Sequence, residues 1–85
     1  MPAILNAEQS MVYCVIIEDQ PAAAEVIQHI LDKNFTDLKV AGIARNSEEG
    51  VKLIRSKSPD LVLTDVELPG GSGFDVLNMT SDQFY

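Results

Sequence analysis

Three acidic residues stand where this chain could do chemistry. Glu18 and Asp19 close the apolar run VYCVII, and Asp65 closes LVLT just before VELPGGSG. A carboxylate is costly to desolvate, so the plain reading is that the chain surfaces at both points. If the two runs are neighbouring strands, however, the acids converge. Like charges about 5 Å apart repel by several kcal/mol at intermediate dielectric, and one of them would stay protonated unless a cation intervened. Hard oxygen ligands, few in number and open to water, suit Mg²⁺, which keeps several waters and accepts phosphate oxygens. A carboxylate beside such an ion can attack a phosphoryl group, since the metal neutralises the incoming oxygens and the aspartate is the nucleophile. Asp65 fits that role. The glycines that follow let backbone approach closely, and Glu67 is placed to offer its backbone carbonyl.

The surrounding pattern says what must position these residues. Val12 to Ile17 is a short Val/Ile-weighted run, read as a strand buried on both faces. Pro21 suits the first turn of a helix, in which Ala23, Val26, Ile27, Ile30 and Leu31 recur at helical spacing with Glu25, Gln28 and Asp32 opposite. His29 lies beside that stripe as a surface residue. LKVAGIA (38–44) reads as a second strand. Asn46 or Ser47 caps a second helix, with Glu48 and Glu49 in its first turn and Val51 and Ile54 facing inward. Ser58-Pro59 ends it, and Leu61 to Thr64 makes a third strand. Phe74, Val76 and Leu77 begin a third helix. Strand and helix in alternation imply parallel strands, right-handed crossovers and helices on both faces: an α/β, doubly wound sheet. Ligands in such sheets sit beyond the carboxyl ends of the strands, where the three acids lie.

The bulk numbers agree. The chain has 85 residues, 46% hydrophobic and 22% charged, enough for one small domain. A net charge of −7 disfavours direct contact with nucleic acid or an anionic membrane and suits a cation or a basic protein partner. The single cysteine, Cys14, sits in an apolar run; it is read as a buried, inert thiol and fits a reducing compartment. No stretch approaches the roughly 20 apolar residues of a membrane span, and MPAILNAEQS lacks the basic start and apolar length of a signal peptide. The reading places the chain in the cytoplasm, with residues 1–11 a flexible N-terminal extension, Met11 a plausible natural start, and residues 12–85 the domain.

The marks VIIED, LVLTD, Pro69, Gly73 and FDVL, in this order and spacing, resemble the receiver domain of two-component response regulators over about Val12 to Gln83. The resemblance implies a flavodoxin-like sheet of order 2-1-3-4-5, of which the chain holds three of five strands in the order 2-1-3. It implies Asp65 as phosphoacceptor, Asp19 as a direct Mg²⁺ ligand, Glu18 as a ligand through water, and the Glu67 carbonyl completing the set. The phosphodonor it implies is a sensor histidine kinase. The domain itself is then no enzyme beyond catalysing its own phosphorylation.

Receiver domains also use a Thr or Ser ending strand four and a Lys ending strand five, and the chain stops at Phe84-Tyr85, about where strand four would begin. The expectation is therefore a domain truncated after its third helix, with the third strand an exposed edge through which copies self-associate. Two alternatives stay open. One is a receiver-like scaffold without phosphotransfer. The other is a fragment of a haloacid-dehalogenase-like phosphatase, which would want an Asp two residues after Asp65, where Glu67 stands. PGGSG lacks the Lys-Ser/Thr of a P-loop and the GxGxxG spacing.

Overall fold

The computed structural model describes residues 11–83, so the expected N-terminal extension lies, apart from Met11, outside the described residues. Strand β1 spans Val12–Ile17, helix α1 Pro21–Asn34, β2 Leu38–Ala44, α2 Ser47–Lys57 and β3 Leu61–Thr64. A two-residue pair, β4 (Glu67–Leu68) and β5 (Gly71–Ser72), precedes α3 (Gly73–Met79) and a 3₁₀ turn over Ser81–Gln83. The main sheet has the order β2-β1-β3, parallel throughout. This is the flavodoxin-like order expected for its first three strands.

Strand alternation builds two cores from β1 alone. Val15 and Ile17 face α2 and α3, in a cluster with Ala44, Ile54, Leu68 and Val76. Cys14 and Ile16 face the other way, packing with Leu31 of α1 and the partly buried Ile27, Leu38, Val40 and Leu63. All four of these β1 residues are buried, as a central parallel strand requires. Burial also pushes the Cys14 thiol up from its ordinary range, because the thiolate would lose its hydration.

The helix ends follow local chemistry. Pro21 opens α1. Asn46, not Ser47, caps α2, its side chain accepting the Glu49 amide at 2.8 Å; the Ser47 amide is thereby left for another partner. Ser72 and Asp75 form a reciprocal capping box at α3, so even this short helix has a defined start.

The apolar stripe of α1 differs from its sequence reading. Ala24 and Leu31 are buried, whereas Val26 and Ile30 are 58% and 48% exposed. At about 100° per residue, positions 26 and 30 lie across the helix from position 24, so they form a second stripe that turns away from the sheet. Of Phe74, Val76 and Leu77, the apolar residues expected to begin α3, only Val76 is buried, and Phe74 is 63% exposed. His29 is exposed, as expected. No helix among the described residues is long and apolar enough to cross a membrane.

Candidate functional site

The site is built by register. Ile17 pairs with Ala44 on one side and Thr64 on the other, so the ends of all three strands lie level. The ladder then carries on by one residue each way. The Glu18 amide donates to the Ala44 carbonyl at 2.9 Å, and the Asp65 amide to the Ile17 carbonyl at 3.2 Å. Acids following Ile17 and Thr64 must therefore emerge side by side at the rim.

They do. One carboxylate oxygen each from Glu18, Asp19 and Asp65 lies within 4.8 Å of the other two. Glu18 is partly buried, while Asp19 and Asp65 are exposed. Backbone donors orient two of the three. Asp65 Oδ1 accepts the Val66 amide at 2.9 Å, and Glu18 Oε2 accepts the Gln20 amide at 3.2 Å. Among the described residues, Asp65 Oδ2 has no protein donor. The ion pairs among those residues, Lys52 with Glu48 and Arg55 with Asp82, do not involve the cluster. Lys33 and Lys57 sit in the last turns of their helices and Lys39 at the start of β2, at the far end of the sheet. Arg45 is closer; with Glu18, Pro21, Ala24, Glu25 and Ile43 it lines a cleft of about 370 Å³ beside the acids.

The donor set fits a hard divalent cation. It offers oxygen only, it is open to water, and among the described residues no protein cation is paired with it. Two ligands on one Mg²⁺, each at about 2.1 Å, can stand at most about 4.2 Å apart. Oxygens that all lie within 4.8 Å of one another are close to that span, so a single ion can draw on all three carboxylates, directly or through water.

The stretch after Asp65 has more structure than a loop. β4 and β5 pair antiparallel, Glu67 opposite Ser72 and Leu68 opposite Gly71. Pro69 and Gly70, the latter at φ +84°, turn the chain in the pattern of a type II turn, which needs a residue tolerating positive φ at its third position. The Gly73 amide closes the base on the Val66 carbonyl at 2.8 Å. Glu67 thus stands exposed on β4, and its carboxylate is not one of the clustered three. Sequence reading missed this hairpin and the Val66 and Gln20 amides. PGG advertises a turn, but two-residue strands have no periodicity to detect, and every amide looks alike in a sequence.

A second cleft, of about 510 Å³, lies between α2 and α3 and is lined by Val51 and Met79 among others. None of the three clustered acids lines it.

Comparison with known proteins gives one consistent likeness. The family model described as the response regulator receiver domain matches residues 14–83. Protein-glutamate methylesterase/protein-glutamine glutaminase 1 of Syntrophus aciditrophicus is 37% identical over 65 residues, covering 76% of this chain and 18% of that protein. The nitrate/nitrite response regulator protein NarL of Escherichia coli K12 is 33% identical over 64 residues, 75% of this chain and 29% of that one. The signal receiver domain of NarL from Mycobacterium tuberculosis superposes with a TM-score of 0.80 at 26% identity, over 86% of this chain and 58% of that domain. The chain spans less than a third of the length of these two curated relatives.

Proposed function

The chain belongs to the response regulator receiver domain family, and on that premise we propose that it accepts a phosphoryl group on Asp65, with Mg²⁺, from a sensor histidine kinase in two-component signalling. The observation that carries this reading is the convergence of Glu18, Asp19 and Asp65 within 4.8 Å at the carboxyl ends of β1 and β3. The Val66 amide holds one oxygen of Asp65 and leaves the other to attack phosphorus. The new bond is P–O; the bond that breaks joins phosphorus to the histidine nitrogen, which keeps the electron pair and takes up a proton. Asp19 and Asp65 would hold the metal directly, Glu18 through water, and the Glu67 backbone carbonyl would complete the protein ligands. When bound, Mg²⁺ supplies charge neutralisation at the phosphoryl oxygens. We place this exchange in the cytoplasm, where a thiol such as Cys14 stays reduced. The domain works as a phosphoacceptor that catalyses only its own phosphorylation.

Intact mass after incubation with Mg²⁺ and acetyl phosphate tests the reading. One added phosphoryl group, absent in Asp65→Asn, is the expected result. No adduct at any donor concentration would replace it with the scaffold reading. Membership of the receiver family leaves the phosphatase alternative without support.

We also infer that this 85-residue stretch, as an isolated polypeptide, associates with its own copies through β3. Among the described residues this strand pairs with β1 and with no strand on its other side, and an open strand edge is a template for pairing. Sedimentation at micromolar concentration should show dimers or larger species; a compact, stable monomer would defeat the inference.

A further inference from the structure

We propose that Ser47 is a positioning residue for the phosphoacceptor site, acting by tethering the tip of the β4–β5 hairpin; this rests on the Mg²⁺-dependent reading of Asp65. The first amides of a helix have no partner inside it. In α2 the Ser47 amide donates instead to the Pro69 carbonyl at 3.3 Å, and the Ser47 hydroxyl reaches the same oxygen at 3.4 Å. The glycines after Pro69 are seated against that hydroxyl. A Cβ added to Gly70 would stand 3.2 Å from Ser47 Oγ, and one on Gly71 3.3 Å.

The connection matters because of what lies at each end. Three residues before Ser47, the Ala44 carbonyl holds the Glu18 amide at 2.9 Å. The short segment from Ala44 to Ser47 therefore grips both halves of the site: the acid pair after β1 and the hairpin after Asp65. The hairpin is fastened at its base by Gly73 on Val66 and at its tip by Ser47 on Pro69. With the tip released it can pivot about its base. That swing would move the Glu67 carbonyl, just beyond the base, and twist the chain at Val66, whose amide aims Asp65.

The backbone permits a clean test. Ser47 is the first residue of α2, where proline is favoured, and Asn46 already has the extended conformation (φ −152°, ψ 174°) that a residue before proline adopts. Ser47→Pro removes both links to Pro69 and keeps the helix and its Asn46 cap. Ser47→Ala removes only the hydroxyl, and Ser47→Thr retains one. With the full chain titrated with MgCl₂ by calorimetry, Mg²⁺ affinity should fall about tenfold in Ser47→Pro and about two- to threefold in Ser47→Ala, and return to the wild-type value in Ser47→Thr. Melting temperatures in EDTA should stay together, and the amide resonances of Gly70 and Gly71 should shift in Ser47→Pro. Wild-type affinity in Ser47→Pro and Ser47→Ala, with binding lost in Asp19→Ala, overturns the Ser47 role alone. No Mg²⁺ binding by the wild-type chain overturns the site reading and this inference together. If Ser47→Pro does not fold, Ser47→Ala decides: unchanged affinity there overturns the role.

Discussion

Gly73 packs against the backbone of Asp65 so closely that a Cβ at position 73 would overlap the Asp65 carbonyl oxygen, with both branches of Thr64 at 3.0 Å. Backbone cannot retreat as the end of a flexible side chain can. Gly73→Ala must push the start of α3 away from the end of β3. The expected cost is about 1–3 kcal/mol, in the range of an overpacked site, with loss of the phosphoryl adduct even where the protein stays folded. Urea unfolding and intact mass measure the two effects; an adduct formed at the wild-type rate would show that the contact does not shape the site.

The clustered acids make the removal of a charge act in opposite directions without and with metal. Like charges within 4.8 Å of one another repel by about 1 kcal/mol or more in a water-like dielectric, as suits acids that are mostly exposed. Asp65→Asn removes part of this repulsion and should melt above the wild type in EDTA at low salt. In the wild type, Mg²⁺ at 100 times its Kd should add about 2.7 kcal/mol; Asp19→Ala should abolish that rise. An Asp19→Ala protein stabilised by Mg²⁺ as strongly as wild type would move the ion to another site.

Ile54 is fully buried where α2 meets β1 and α3. Ile54→Ala should cost about 2–5 kcal/mol, a large share of the roughly 5–10 kcal/mol available to a domain this small. The urea midpoint should fall steeply or folding be lost altogether. A shift under about 0.5 kcal/mol, the surface range, would contradict the packing.

Cys14 supplies a pH dependence with a definite sign. Its folded pKa is raised, so the neutral thiol is favoured in the fold. The stability this gives is complete below the unfolded thiol value, about 8.5, and is lost as pH rises above it toward the folded value. Stability of the wild type should fall more steeply above pH 8.5 than that of Cys14→Ala. Parallel curves would mean the thiol is solvated. A thiol reagent at neutral pH should label native protein only as fast as it unfolds.

The sequence by itself determined the three strands of the main sheet, the helix starts to within about a residue, and the three acids. Apolar runs of four to seven residues, bounded by acid, proline or a cap, leave little choice of local structure, and an alternation of strand and helix leaves little choice of topology. That is why Glu18, Asp19 and Asp65 could be assigned to one rim before any coordinate was known. Only the tertiary structure decided which apolar residues face in, since Val26 and Ile30 share the spacing of a buried stripe but lie on the far side of α1. It also decided the hairpin after Asp65 and the Ser47 tether. The tether joins residues 22 positions apart, and the hairpin rests on single amides within a few residues of one another, whose partners no residue's own chemistry announces.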